Sequence, residues 1–422
     1  MLLTMLPLTG CHDDDSSPVA QISNKTYTDS SGLELYYNGN KMPGKTVTFS
    51  QDGDKATVTA YSTFDLSELS GFGLSGELPS PGIIPGSPRT IISTEVENTG
   101  EYWEFTGTGE NDYCTFSYSG YASPEKLKLY ISDAKLKSGG VNPPAWKPAP
   151  IEKNSDGTYK SLPIYSKWEY DPIPEVDINF SPILSLISVA PVIPVYNGTA
   201  YMSVSEALHE ILQAVAFLPD GNMLFTYISE VGGAAHLAQN EPNGYQYVIA
   251  APGLIKTYIN PLSFFSFLLQ TTSGSTPAKD VDLTMNGLFP SASASSSADM
   301  TGNTTLTELL SSPLVQKILK SVLPQFLPLV SEGIPLAYSV SETPTPSLKV
   351  FIDTEIAVKI MTAVLTPILE DNATIEAIKE YIAADPTLSP LLPDLEKALQ
   401  LLPQALERTT SFNLGLNLVP YE

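Results

Sequence analysis

Between Asn24 and Lys137 the chain alternates apolar and polar residues in short runs, the period-two pattern of half-buried strands. Leu33-Glu34-Leu35-Tyr36-Tyr37 runs into Asn38-Gly39, a dipeptide suited to the left-handed backbone of a tight hairpin turn. Lys45 to Phe49 and Ala56 to Tyr61 alternate on either side of Gln51-Asp52-Gly53-Asp54, which predicts a hairpin with an Asp-Gly turn. Thr90 to Val96 is β-branched. In Glu101 to Thr106 the pattern puts Tyr102, Glu104 and Thr106 on one face and Trp103 and Phe105 on the other. Tyr113 to Tyr118 and Lys126 to Ile131 complete a series of strands with no helical period, as in an antiparallel sandwich or barrel. Gly71 to Pro88, rich in Gly, Pro and Ser, predicts a long loop.

Val141 to Pro150 carries four prolines and predicts an extended, semi-rigid linker. Beyond it the pattern is mixed. Tyr159 to Tyr170 and Pro174 to Phe180 look extended. Ser203 to Phe217 is the clearest helix: Ser203 and Glu206 form a capping box, and Val204, Ala207, Leu208, Ile211, Leu212 and Val215 keep 3.6-residue spacing. Pro219 to Asn222 predicts a turn; Met223 to Ser229, Gly244 to Ala250 and Leu254 to Ile259 predict strands. Leu283 to Thr305 is dominated by Ser, Ala and Gly and predicts a loop. Helices are expected from Ser312-Pro313, from Asp353, around Ile375 to Ile382 and along Leu391 to Leu406. Phe412 to Leu418 alternates strictly and predicts a final strand.

The expected class is therefore α+β. Its parts are an N-terminal antiparallel β-sandwich or barrel module (24–140), a Pro-rich linker (141–154), and a C-terminal antiparallel β module (155–422) with a helical insertion at about 305–408. The length of 422 residues fits two or three domains at roughly 100–200 residues each. Hydrophobic residues make up 42%, enough to bury cores. Lys and Arg number 22 against 46 Asp and Glu, a formal charge of −24. That charge repels phosphate backbones and anionic lipid, so neither nucleic acid nor polybasic membrane docking is expected.

Chemistry-bearing residues are sparse. His12 lies in a polar N-terminal run. His209 sits in His209-Glu210-Ile211-Leu212-Gln213, which starts like a zinc-protease helix but has Gln213 where the second histidine is required. His236 follows Gly232-Gly233 and is expected in a loop. Neither a phosphate-binding glycine loop nor Cys/His zinc spacing is present, and Asp280-Val281-Asp282 and Asp52-Gly53-Asp54 lack the further ligands of a calcium loop. No cofactor, metal or catalytic constellation is expected; a carboxylate pair such as Glu101 with Glu104 depends on the fold. The 21 tyrosines and three tryptophans suit strand packing, and also sugar stacking or an apolar pocket. Phe264 and Phe267, in an unusually apolar run after Pro261, are the candidate ligand-binding residues.

The start of the chain carries a family resemblance. Leu8-Thr9-Gly10-Cys11, after the apolar Met1 to Leu8, resembles the lipobox of bacterial lipoproteins. The resemblance implies a signal peptide (1–11) cut before Cys11 and acylation of that cysteine, with two or three chains giving firm anchoring. His12-Asp13-Asp14-Asp15 opens an acidic tether (12–23) similar to the surface-export signal of Bacteroidetes lipoproteins. Together with Leu35 to Gly39, Met42-x-Gly44-Lys45, Asp52-Gly53, Pro85-Gly86-Ser87, Pro219 to Asn222, Tyr247 to Ile249 and Gly253 to Ile255, these features resemble uncharacterised β-rich surface lipoproteins of gut Bacteroidetes, some described as lipocalin-like. The helical block lies outside that resemblance. It implies an outer-membrane, lipid-anchored location facing the exterior and brings no catalytic residues. With Cys11 acylated, Cys114 has no disulfide partner in the chain and is expected to be a small buried hydrophobe. The functional expectation is a non-enzymatic surface protein holding an apolar small molecule or a glycan. A fimbrillin-like structural adhesin and an extracellular hydrolase are the alternatives.

Overall fold

The computed structural model describes residues 20–66, 76–176, 178, 180, 188–195, 200–231, 234–261, 312–330, 332–342, 346–384, 389 and 392–421. Alternation in the first part becomes strands β1 (Lys25–Thr28), β2 (Leu33–Tyr37), β3 (Asn40–Lys41), β4 (Thr46–Asp52), β5 (Lys55–Asp65), β6 (Glu77–Ser80), β7 (Thr90–Glu95), β8 (Glu97–Asn98), β9 (Trp103–Glu110), β10 (Cys114–Ala122) and β11 (Leu127–Leu136). One sheet runs β1-β4-β5, with β6 and β7 both on β5; the other runs β3-β2-β11-β10-β9-β8. They face each other as a sandwich, with Phe49 of β4 and Phe105 of β9 in ring contact at 5.8 Å. Every pairing is antiparallel except β2 with β11, where Leu33, Leu35 and Tyr37 lie beside Leu127, Leu129 and Ile131. All six side chains face the core.

The turn chemistry is local and mostly legible. Asn38 and Gly39 have φ of 45° and 82°, the paired left-handed residues of a two-residue hairpin loop. The next hairpin turns one residue later than the Asp-Gly expectation. Asp52 still pairs with Lys55, so Gly53 and Asp54 form the loop and Gly53 supplies the positive φ. The predicted loop Gly71 to Pro88 contains β6, which pairs with the far end of β5.

The second part begins earlier than expected. Its elements are β12 (Ala145–Pro148), β13 (Glu152–Lys153), β14 (Tyr159–Ser161), β15 (Ile164–Tyr170), β16 (Ile193–Val195), β17 (Ala200–Met202), α1 (Val204–Ile211), β18 (Leu212–Phe217), β19 (Met223–Val231), β20 (Ala234–Gln239), β21 (Tyr245–Ala251), β22 (Leu254–Ile259), α2 (Pro313–Phe326), β23 (Ile334–Ser341), β24 (Ser347–Ile352), α3 (Thr354–Leu369), α4 (Asn372–Ala384), α5 (Leu392–Glu407) and β25 (Thr409–Pro420). The Pro-rich segment is thus no free linker. Within it β12 pairs with β18 on one side and β25 on the other, and Trp146 is fully buried. Apolar Ala145 and Trp146 outweigh the prolines around them.

Four other expectations change. The helix from Ser203 ends at Ile211, and Leu212 to Phe217 is a strand. The segment from Pro174 turns at Pro174-Glu175, where Glu175 has φ of 63°. The helical insertion is interrupted by the β23–β24 hairpin. Pro313 does open α2, but the Ser312 side chain makes no capping hydrogen bond. The Ser203–Glu206 capping box and the Asp353 cap, which accepts from the Ile356 amide, form as read.

The large sheet runs β20-β19-β18-β12-β25-β24-β23-β22-β21, with β15 on the remaining edge of β25. It curls until its ends meet: Asn222, just before β19, bridges to Gln246 of β21, and the Tyr247 amide donates to the Gly221 carbonyl. The concave side is filled. Phe217 and Tyr247 meet edge to face at 5.2 Å, and Thr257 donates to the Met223 sulfur across the interior. Trp146, Val215, Leu348 and Leu418 belong to the same core.

That core is continuous with the sandwich. Val248 and Tyr258 point outward from the barrel yet are buried in that shared core, Tyr258 beside Tyr113 and Cys114. The seam is hydrogen bonded: Tyr37 Oη donates to the Asp220 carbonyl at 2.6 Å, the Leu136 amide to the Pro219 carbonyl at 2.8 Å, and Asn260 Nδ2 to the Pro43 carbonyl at 3.4 Å. Helices α3, α4 and α5 build a second core over β15 and the first half of β25, around Trp168 and Phe412.

Candidate functional site

Where the barrel opens, α1 lies across its mouth. The α1 sequence is amphipathic, and Val204, Ala207, Leu208 and Ile211 face the sheet. Below them the register brings aromatic side chains together. Leu212 is the partner of Tyr227, and Val215 the partner of Phe225, so Phe225 and Tyr227 share the interior face with Leu212. Tyr245 enters from β21 and meets Phe225 edge to face at 5.2 Å. With Ile193 of β16 at the rim, these residues enclose a groove of about 410 Å³. Its walls are almost wholly carbon.

The polar atoms at the groove are few. Burial pushes the Tyr227 phenol up to about 12 and the Tyr245 phenol higher still, with Tyr227 adding to the second shift. Both stay neutral hydroxyls at neutral pH. Asn240 is turned to the backbone: its Oδ1 accepts from the Phe225 amide and its Nδ2 donates to the Met223 and Glu241 carbonyls. Both of its amide hydrogens are thereby taken up by the backbone. The groove thus suits a mostly apolar molecule. The capping box holds the lid over it, with Ser203 Oγ accepting from the Glu206 amide at 3.0 Å and Glu206 Oε2 from the Ser203 amide at 2.7 Å. Replacing Ser203 with Ala should cost about 1 kcal/mol, read as a fall in the urea midpoint at unchanged slope.

The residues singled out from sequence fall elsewhere. Cys11, His12, Phe264, Phe267, Asp280 and Asp282 lie outside the described residues. His209 is exposed on α1, and Gln213 has left the helix for β18, so the protease-like spacing has no helical face to sit on. His236 is in strand β20 opposite Ser229 and not in a loop. Cys114 is buried in β10, and burial pushes its thiol up to about 12, which makes it unreactive. Glu101 precedes β9, while Glu104 lies within it and faces Glu97 of β8. Among the described residues no cluster of three or more His, Cys, Asp or Glu side chains is placed to hold a metal ion. Sequence reading missed Phe225, Tyr227 and Tyr245. Their alternate spacing and the apolar face of the Ser203 helix were visible, but their convergence was not.

A scan against protein-family models, a search of the curated proteins and a search of the solved structures each find no match to this chain.

Proposed function

We propose that this protein is a lipid-anchored surface binding protein that holds a small apolar molecule in the mouth of its barrel, beneath α1. The apolar, aromatic-lined groove of about 410 Å³ carries this reading. Its size falls in the range of ligand pockets, and the mouth of a β-barrel is a recurrent place for one. The Leu8 to Cys11 motif supports the anchoring half.

Titration with N-phenyl-1-naphthylamine tests the binding half. One saturable site with blue-shifted emission is expected. Leu208 is half-buried on the inner face of the lid, so Leu208→Gln puts an amide into the groove without touching the barrel interior. It should weaken the probe at least tenfold, about 1.4 kcal/mol. Binding that never saturates, or that L208Q leaves unchanged, would overturn the proposal. For the anchor, mass spectrometry of the host-expressed protein should find acyl chains on Cys11.

A further inference from the structure

The outward face of the sandwich carries a second groove with a different chemistry. Strands β2, β11, β10, β9 and β8 present it. Register across the sheet aligns Tyr36, Tyr130, Ser119 and Thr106 in one row and Lys128, Tyr121, Glu104 and Glu97 in the next. The rings are braced: Tyr130 stacks on Tyr36 at 5.1 Å and 19°, and Tyr121 leans on Tyr102 at 4.8 Å. Between them and Glu95 at the end of β7 lies a groove of about 530 Å³. Gly120 lies between the two rows; a Cβ there would turn to the inner face and meet the Lys128 carbonyl at 2.3 Å and the Phe105 ring at 2.6 Å, so only glycine fits between Ser119 and Tyr121.

The charges on this face are unevenly matched. Glu34 is paired with Lys126 and Lys128, and Glu110 with Lys137. Glu97 and Glu104 oppose each other directly across a strand pair, an unfavourable placement for like charges, and neither has a basic partner within ion-pair distance among the described residues. No metal-holding cluster forms there among the described residues. What the groove offers is aromatic faces, two small hydroxyls at Ser119 and Thr106, and carboxylates able to accept charge-assisted hydrogen bonds.

We infer that this face binds a saccharide. The ring carbons of a sugar stack on Tyr121, beside the Tyr36–Tyr130 pair that the Lys128 ammonium covers, and its hydroxyls donate to Glu97 and Glu104. The site is separate from the apolar groove and stands or falls independently of it.

Affinity electrophoresis of the full chain through gels containing starch, xylan, galactomannan, mixed-linkage β-glucan or dextran tests this. Retardation by at least one polysaccharide is expected. Y121A and E104Q should each weaken it at least tenfold, while L208Q leaves it unchanged. E104Q is isosteric, sits on an exposed position and removes a like-charge contact, so it should keep or raise the thermal midpoint; lost binding in a variant that stable is not a folding defect. No retardation in any gel, or retardation that survives both Y121A and E104Q, would overturn the inference.

Discussion

Trp146→Ala should lower the unfolding free energy by about 3–5 kcal/mol and should loosen the sandwich and the barrel together. Trp146 is fully buried at the centre of the large sheet, with Val215 opposite on β18 and Pro420 opposite on β25. Removing the indole leaves a cavity where β12 joins the two halves of the barrel. It also strips the Pro143 carbonyl of the indole N–H that reaches it at 2.6 Å. Because the core around Trp146 runs without a break into the sandwich around Tyr27, Phe49 and Leu129, the loss should be felt in both modules. Urea unfolding followed by tyrosine and tryptophan fluorescence gives the global cost. Hydrogen exchange of the β4 and β5 amides reports on the sandwich alone. Parallel loss of protection in β4 and β5 is the expected result. A barrel that weakens while β4 and β5 keep their protection would mean two modules joined by a passive linker, as the prolines alone imply. Trp146→Phe, which refills most of the space, should cost clearly less.

This position also shows where sequence reading succeeds and where it stops. Half-buried strands announce themselves: Leu33, Leu35 and Tyr37 alternate with Glu34 and Tyr36, and β2 begins and ends where the pattern does. Capping is equally local, so Ser203, Glu206 and Asp353 could be placed from their neighbours. A strand buried on both faces has no such signature. Along β18, Val215 and Phe217 fill the barrel while Ala214 and Ala216 pack outside with Leu224 and Ala145. Its run of apolar residues matches a helical period as well as any other, and the Ser203 cap upstream tips the reading toward one long helix. The candidate site was illegible for a related reason. Phe225, Tyr227 and Tyr245 each lie on a predicted strand, but only the curl of the sheet and the Asn222–Gln246 closure bring β19 and β21 together. The saccharide face was half legible. Glu104 and Tyr102 were placed on one side of their strand, whereas Glu97 opposite Glu104 is a matter of register across a turn.

Raising the pH from 7 to 9 should stabilise the protein by about 2–3 kcal/mol, and Lys45→Met should abolish most of that gain. Lys45 is buried in the sandwich, its Nζ donating to the Pro81 carbonyl at 2.6 Å. Burial pulls its ammonium down to about 7 from an ordinary value near 10.5. The unfolded chain therefore binds a proton that the native state does not hold between these two values. Stability rises wherever the unfolded state binds more protons, so it climbs with pH through this window and is lowest on its acid side. The upper limit is set by other buried groups. Cys114, Tyr27 and Tyr258 are all pushed up to about 12 by burial, so their native forms keep protons that the unfolded chain sheds above pH 9 for the thiol and 10 for the phenols. Those groups reverse the slope, and the window from 7 to 9 isolates the lysine. Methionine removes the charge and keeps the length of the chain, so at pH 7 it should match or exceed the stability of the lysine protein despite losing the bond to Pro81. Urea midpoints at half-unit steps of pH read both effects. A flat profile in the unsubstituted protein, or the same slope in K45M, would show that the amine keeps its proton inside the fold.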